Sequence, residues 1–247
     1  MAQRIKLIVA YDGAPFAGWQ SQLHGKTVQD QLENAARRIT GERIRVHGAG
    51  RTDTGVHALG QCAHLDLPKP KFTPDQLRAA LNAVLPPTIR VLRCQRVAST
   101  FHARFSATGK VYRYRIWHGP VLPPLEFGRA WHVPNSLDSD ALRNALSRFR
   151  GRHDFAGFAA NRGQPPGDTV RTISAVRLTR RGPCLTMEFA GDGFLYKMVR
   201  MMVGATVLCG QGKLSTAELA QRFHGGLPGG PRLVAPAAGL FLIRVRY

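Results

Sequence analysis

The residues most able to do chemistry lie in the stretch His47–Gln61, which reads HGAGRTDTGVHALGQ. Glycines surround an arginine and an aspartate two positions apart, Arg51 and Asp53. A guanidinium held beside a carboxylate keeps that carboxylate ionised and therefore nucleophilic. Glycines, which lack a Cβ, let a substrate approach the backbone closely. The stretch is therefore a candidate site for a reaction in which Asp53 attacks a substrate or accepts a proton from it.

Several other loop chemistries do not fit these residues. The stretch lacks the Gly-Lys-Ser/Thr ending of a phosphate-binding P-loop, and Asp53 stands where a dinucleotide-binding loop needs its third glycine. The chain has no His-x-Glu and Pro-Cys-x-x-Cys patterns of a nucleobase deaminase, and no neighbouring acid supplies the second carboxylate of a glycosidase. A plain turn, in which the Asp53 side chain caps its own backbone, remains open as an alternative on the residues alone.

The composition favours a polyanionic partner. The chain has 35 Lys and Arg residues against 15 Asp and Glu, which gives a net charge of +20 spread along the whole length. Because such a charge repels itself in the folded state, a nucleic acid that neutralises it is the favoured partner. A basic surface that is simply solvated would explain the same composition.

The cysteines and the apolar segments indicate a cytoplasmic protein. The four cysteines are far apart, form no Cys-x-x-Cys pair and have no zinc-ligand spacing with histidine, so we expect neither a structural metal nor a disulfide framework. The apolar run Met201–Cys209 is too short to span a bilayer, and the N-terminal residues alternate like a strand and lack a signal-peptide core. We therefore expect no membrane segment.

The elements that must position the Asp53 loop follow from hydrophobic spacing and capping residues. Helical spacing predicts helices after Thr27, after Thr73, from Asp138 to Phe149, through Tyr196–Gly210 and after Ser215. Alternating residues predict strands in the segments LIVAY, RIRVHGAG, GQCAHLDL, TIRVLRCQRV, KVYRYRIW and GLFLIRVRY, and a hairpin in RTISAVRLTRRGPCLTMEFAG. Strands and helices mix without a strict parallel repeat. The fold class predicted is therefore α+β, with two halves of similar order and antiparallel sheet.

Six blocks in order give the sequence a resemblance to a known family. The blocks are YDGAPFAGWQSQ, GRTDTGVHALGQ, FHARFSATGKVYRYRI, RTI, GFLYKMVRMMVG and GLFL. They resemble the TruA-type tRNA pseudouridine synthases, and the match covers almost the full length. The resemblance implies the pseudouridine synthase fold, with an active-site cleft between the two halves. The N-terminal half, 1–105, would carry the catalytic Asp loop, and the C-terminal half, 106–247, the Tyr and Arg partners.

The resemblance also implies an activity, which is isomerisation of uridine to pseudouridine at positions 38 to 40 in the anticodon stem-loop of tRNA. It implies a homodimer that uses no cofactor and no metal. Asp53 would be the nucleophile, Arg200 the ion-pair partner that keeps it charged, and Tyr112 the residue that stacks on the target uracil and takes part in proton transfer. Arg51 would contact phosphate or hold the flipped nucleotide, whereas His57 and Gln61 are expected to be structural.

The chain departs from the family pattern at three positions. Met201 and Asp192 stand where asparagine is common, and Phe241 replaces a common tyrosine, so any polar contact of those groups is in doubt.

Two other functions remain open on the sequence. A pseudouridine synthase acting on another RNA would carry the same blocks. A non-catalytic basic RNA-binding protein would explain the charge, but it would not explain the loop that contains Arg51 and Asp53.

Overall fold

The structure is a computed structural model that describes residues 2–23, 25–69, 71–160, 167–224 and 233–247. Contacts divide the chain into two compact units. Unit 1 comprises Met1–Thr108 together with Phe241–Tyr247, and unit 2 comprises Gly109–Leu240. The last strand, which the sequence places with the C-terminal half, thus belongs to unit 1. Residues 225–232 of the Gly/Pro-rich segment predicted between Gly225 and Ala238 lie outside the described residues.

Unit 1 is built on a sheet whose strands have the order β4-β1-β3-β10. Its strands are β1 (Gln3–Tyr11), β2 (His47–Gly48), β3 (His57–Leu67), β4 (Ile89–Arg96) and β10 (Leu240–Arg246), and its helices are α1 (Val28–Thr40) and α2 (Pro74–Val84). The strand β1 pairs antiparallel with both β3 and β4. By contrast, β10 pairs parallel with β3 at Phe241 and Leu242, so the expected antiparallel sheet is mixed where these two strands meet.

Capping residues fix where the two helices of unit 1 begin. The Thr27 side chain accepts the backbone N–H of Asp30 at the start of α1. Thr73 and Gln76 form a reciprocal capping box at the start of α2, with Pro74 in the first turn. Each cap satisfies backbone donors that have no partner within the helix, and each contributes about 1 kcal/mol. Both helices therefore begin where the sequence predicts.

Unit 2 contains hydrogen-bonded strands in the order β5-β9-β8-β7. Its strands are β5 (Gly109–Trp117), β6 (Trp131–His132), β7 (Gly151–Asp154), β8 (Val170–Arg181) and β9 (Cys184–Gly191). Its helices are α3 (Ser139–Ser147), α4 (Met198–Gly210) and α5 (Thr216–Gln221). The neighbours in this order pair antiparallel, and the short β6 adds to β5 in parallel. The predicted hairpin is confirmed, with its turn at Gly182 and Pro183.

Along strand β5 of unit 2, the alternation of apolar and charged residues in the sequence matches the alternation of buried and partly exposed residues in the structure. Tyr112, Tyr114 and Ile116 are buried, while Arg113 and Arg115 are partly exposed. The two arginines form ion pairs, Arg113 with Glu188 on β9 and Arg115 with Glu126. Helix α4, by contrast, is apolar on every side, and all but one of its residues are buried. It is therefore the central helix of unit 2.

Two elements differ from the sequence prediction for identifiable reasons. Only His47 and Gly48 of the predicted strand RIRVHGAG are paired as a strand. Upstream, side chains of α1 take the place of a strand partner, because Glu33 accepts the N–H of Val46 and Gln29 donates to its carbonyl oxygen. Helix α4 begins at Met198 rather than Tyr196, because Lys197 adopts the left-handed conformation with φ 59°. Within the described residues, no helix is long and apolar enough to cross a membrane.

Candidate active site

The loop that carries Asp53 joins β2 to β3 and is held in place through Thr52. The buried Thr52 hydroxyl lies 2.8 Å from the Tyr11 phenol oxygen at the end of β1. The backbone N–H of Trp19 donates to the Thr52 carbonyl at 3.1 Å. Burial raises the pKa of Tyr11 to about 12, so the phenol stays protonated at neutral pH and can donate its proton to Thr52. The residue immediately before Asp53 is thus anchored on both its side chain and its backbone.

Glycines of the segment Tyr11–Gln22 allow that segment to lie directly against the Asp53 loop. A Cβ on Gly13 would fall 2.0 Å from the Val56 carbonyl oxygen. A Cβ on Gly18 would fall 2.7 Å from the Thr52 carbonyl oxygen, and Gly18 also has a φ of +88°. Any side chain at either position would push the loop away. The segment YDGAPFAGWQSQ therefore packs against the Asp53 loop and helps to fix its position.

Asp53 itself begins a tight turn. Its carbonyl oxygen accepts the N–H of Val56 at 3.1 Å, and just upstream the Gln61 side chain donates to the Gly50 carbonyl at 2.9 Å. The Asp53 residue is half-buried while its neighbour Thr52 is buried. The backbone of the turn is therefore fixed, and Asp53 is partly accessible to solvent.

Arg51 lies beside this turn and is exposed. Its Nε donates to the Gln20 side-chain oxygen at 3.1 Å, and the Gln20 amide donates in turn to Gln29 on α1 at 2.8 Å. This chain of hydrogen bonds uses Nε only. The terminal guanidinium nitrogens of Arg51 project from a side chain whose base is already oriented.

His57 and Gln61, which the sequence predicts to be structural, are both buried and make hydrogen bonds within unit 1. The buried His57 accepts the backbone N–H of Gly13 at Nδ1, 3.1 Å away, and its ring stacks on Phe241 with centroids 4.6 Å apart. Phe241 is one of the three departures from the family pattern, and its ring makes this aromatic contact with His57. Gln61 is fully buried and holds Gly50 as described above.

Tyr112 lies on β5 in unit 2, opposite Phe189 of β9. Its ring meets the ring of Phe194 edge to face, with centroids 5.0 Å apart and an interplanar angle of 77°. Phe194 lies in the connection between β9 and α4, which ends at the left-handed Lys197. The aromatic contact fixes the orientation of the Tyr112 ring, which is 8% exposed.

Arg200 is the third residue of α4 and is half-buried. Its Nε donates to the Ala235 carbonyl at 2.7 Å, and the Ala235 N–H donates to the Arg200 carbonyl at 3.1 Å. The first turn of a helix is an unfavourable place for a cation, because the helix dipole is positive there. A guanidinium at this position therefore needs anionic or carbonyl acceptors, of which Ala235 supplies one.

The other two departures, Asp192 and Met201, lie in unit 2. The Asp192 carboxylate accepts the backbone N–H of Thr172 at 3.0 Å, which closes the open end of the β8–β9 hairpin. Met201 is buried in α4 directly after Arg200. Unit 1 thus carries Arg51 and Asp53, and unit 2 carries Tyr112 and Arg200. Among the residues that the structure describes, no group of three or more His, Cys, Asp or Glu side chains could hold a metal ion.

Comparison with known proteins identifies the family. A family model described as tRNA pseudouridine synthase matches residues 7–106 and 145–247. The chain belongs to the tRNA pseudouridine synthase family. Membership confirms the resemblance indicated by the sequence blocks, and it makes the protein an isomerase with the α+β pseudouridine synthase fold.

Relatives named tRNA pseudouridine synthase A are similar over nearly the whole chain. The protein from Akkermansia muciniphila is 48% identical over 99% of this chain and 95% of its own length. The protein from Methylacidiphilum infernorum is 43% identical over 98% of this chain and 94% of its own, and that from Acetivibrio thermocellus is 41% identical over 99% and 100%. The similarity therefore extends across both units.

Sequence reasoning missed the residues that support the loop. Tyr11 and Thr52 are forty-one positions apart, and no local pattern links a phenol at a strand end to a loop hydroxyl. The closely spaced glycines of the segment Tyr11–Gln22 were the available signal, because glycines outside a turn often mark the close approach of another backbone.

Proposed function

We propose that this protein isomerises uridine to pseudouridine at positions 38 to 40 of tRNA. The observation that carries the proposal is the Asp53 turn, an anchored loop that offers one carboxylate at the surface of a strongly basic protein. Family membership and the relatives named tRNA pseudouridine synthase A support tRNA as the substrate. The location that follows is the cytoplasm.

The reaction breaks the N1–C1′ glycosidic bond, turns the uracil and joins its C5 to C1′. The proton that leaves C5 is balanced by one gained at N1, so product and substrate are isomers and no hydride carrier is consumed. We propose Asp53 as the nucleophile, attacking C1′ or C6, or assisting departure of uracil while removing a sugar proton. Each route requires an ionised carboxylate next to the ribose or the base of a nucleotide that has left the base stack.

The proposal assigns roles to three further side chains, those of two arginines and one tyrosine. Arg200 would keep Asp53 ionised, and its terminal guanidinium nitrogens suit that role because Nε is already used on Ala235. Tyr112 would stack on the target uracil and assist proton transfer at C5. Arg51 would bind the phosphate of the flipped nucleotide, since it is exposed and held by Gln20.

The test is the substitution Asp53→Asn assayed on unmodified tRNA transcripts. Tritium release from C5-labelled uridine should fall to background, because the amide cannot act as a nucleophile. The affinity for tRNA should remain near that of the wild type, because no phosphate contact is removed. Asp192→Asn is the matched control, since it neutralises a carboxylate in a backbone hydrogen bond of unit 2, and it should retain turnover.

Three outcomes would contradict the proposal. Substantial turnover by Asp53→Asn would remove Asp53 from the mechanism. Pseudouridine formed only in other RNAs, as seen by chemical mapping, would show a synthase with another substrate. Tight tRNA binding by the wild type without any pseudouridine would show a non-catalytic RNA-binding protein.

We further propose a homodimer formed through unit 2. The segment between β5 and α3 exposes three large apolar side chains, Val121 at 74%, Leu125 at 83% and Phe127 at 79%. Exposed apolar groups that occur close together in a basic chain support a protein contact rather than an RNA contact at this place.

A further inference from the structure

A loop in unit 1, the aromatic loop (residues Phe101–Ser106), presents a bare aromatic ring to solvent. It follows β4 and contains Phe105, which is 77% exposed, next to the exposed Arg104. The Arg104 guanidinium carbon lies 5.6 Å from the centre of the Phe105 ring. None of the roles given above to Asp53, Arg51, Tyr112 and Arg200 uses this pair.

The base of the aromatic loop is tightly fixed. The N–H of Ala103 donates to His64 Nδ1 at 3.1 Å, and the Tyr247 hydroxyl donates to the Ala103 carbonyl at 2.7 Å. The Arg4 guanidinium, paired with Asp66, donates to the Phe101 carbonyl at 2.8 Å. Strands β1 and β3 and the residue that follows β10 therefore each supply a contact that holds the base of the loop.

His102 orients the exposed ring itself. Its Nδ1 accepts the backbone N–H groups of Arg104 and Phe105, at 3.1 and 3.3 Å, and its ring stacks on Phe105 with centroids 4.4 Å apart and 30° between planes. Burial, followed by the neighbouring His47, lowers the pKa of His102, so its Nδ1 stays an acceptor at neutral pH. The same causes lower the pKa of His64 to about 4. Phe105 is thus held with one face on His102 and the rest open to water.

An aromatic ring that is exposed and held rigid is costly to hydrate, and it loses little conformational entropy when it binds a ligand. The cation beside it selects the type of ligand. A flat ring next to a guanidinium fits a planar base joined to a phosphate, because unpaired bases stack on Phe and Arg while phosphate accepts the guanidinium protons. An apolar protein partner would not be favoured here, because it would have to bury the Arg104 guanidinium beside the ring.

We propose that Phe105 stacks on an unpaired nucleobase of the tRNA and that Arg104 binds the adjacent phosphate. This platform is a second RNA contact, built entirely from unit 1 and separate from the Asp53 turn in sequence. It rests on the proposed function for the identity of the RNA. It binds and positions substrate, and it takes no part in bond breaking.

The test compares Phe105→Ala, Phe105→Leu and Phe105→Tyr in the full-length protein, with unmodified tRNA as the probe. Phe105→Ala should weaken tRNA binding by about 5- to 150-fold, equivalent to about 1–3 kcal/mol for one stacked base. Phe105→Leu should weaken binding nearly as much, because an aliphatic side chain has no flat face. Phe105→Tyr should bind like the wild type. The matched control is Leu92→Ala on β4, which truncates another exposed apolar side chain of unit 1 and should leave affinity unchanged.

The salt dependence of tRNA binding distinguishes the contribution of Phe105 from that of Arg104. Phe105→Ala should shift the line of log affinity against log salt without changing its slope, because stacking releases no counterions. Arg104→Ala should reduce that slope by about 1, because one phosphate contact is lost. At saturating tRNA both variants should keep the wild-type single-turnover rate, so the loss should lie in KM rather than kcat.

These readouts distinguish failure of the platform from failure of the proposed function. Unchanged tRNA affinity in Phe105→Ala, or full affinity in Phe105→Leu, would overturn the stacking proposal even if the wild type makes pseudouridine. Conversion of a dimer to a monomer by Phe105→Ala in sedimentation would show that the ring is a protein contact instead, which also overturns it. A wild type that forms no pseudouridine but shows the expected affinity changes would support the platform and refute the synthase activity.

Discussion

Arg200 is the side chain whose chemistry is hardest to replace. Its Nε is committed to the Ala235 carbonyl, and its position in the first turn of α4 demands further acceptors. If it keeps Asp53 ionised, it does so with the two terminal nitrogens of a planar group that can donate parallel hydrogen bonds. Lysine has one nitrogen for both tasks.

We therefore expect Arg200→Lys to lower the single-turnover rate on saturating tRNA nearly as much as Arg200→Ala, by about 100-fold or more. Circular dichroism should show both variants folded. Arg38→Lys, at an exposed position in the last turn of α1, is the control and should react like the wild type. A near wild-type rate for Arg200→Lys would reduce Arg200 to a general positive charge.

At the scale of elements, a glycine allows very close contact between α4 and the segment that precedes β10. A Cβ on Gly204 would fall 1.9 Å from the Leu233 carbonyl oxygen, and the same segment holds Ala235 against Arg200. Backbone cannot move aside as a side chain can. Gly204 therefore sets how closely this segment approaches the helix.

Gly204→Ala should destabilise the protein by about 1–3 kcal/mol or more, the usual range for overpacking a core, measured as a lower urea midpoint with unchanged slope. Gly210→Ala in the same helix is the control. There the added Cβ would meet side chains only, Leu142 at 2.7 Å and Leu137 at 3.3 Å. Side chains can move aside more easily than backbone, so the loss should be smaller. Equal losses at both sites would mean that the backbone contact at Leu233 is not the limiting one.

The elements divide clearly into those that the sequence predicts and those it does not. Helix starts at Thr27, Thr73 and Ser215 were predicted because a cap is a local interaction between residues three positions apart. The late start of α4 at Lys197 and the loss of pairing at Val46 were not predicted, because each depends on tertiary contacts. For the same reason the blocks indicated which site residues to examine, but the support of Asp53 through Tyr11 and Thr52 became visible only in three dimensions.

At the scale of the whole molecule, the net charge and the exposed apolar side chains have opposite effects on dimerisation. Two copies of a chain with charge +20 repel, whereas burying Val121, Leu125 and Phe127 in a dimer would remove apolar surface from water. Salt screens the repulsion without weakening the apolar contact. Dimerisation should therefore tighten as ionic strength rises, opposite to tRNA binding.

We expect the wild type to sediment as a dimer and Leu125→Glu to sediment as a monomer at the same concentration, because the substitution buries a charge only in the dimer. Leu23→Glu, at a fully exposed position of unit 1 (104%), is the control and should remain dimeric. A wild type that is monomeric at micromolar concentration and moderate salt would contradict the dimer.

The return of the last strand to unit 1 has a consequence for how the chain is made. Residues 241–247 belong to unit 1, where Phe241 and Leu242 pair with β3 and Tyr247 anchors the loop that carries Phe105. A ribosome adding about 5–20 residues per second would complete Thr108 about 7–27 seconds before it reaches this strand. During that interval the edge of β3 is uncovered and the nascent unit 1 is exposed to proteases and chaperones. A message truncated within unit 2 would thus yield an N-terminal fragment lacking its last strand, one that quality control can recognise and remove before it sequesters tRNA.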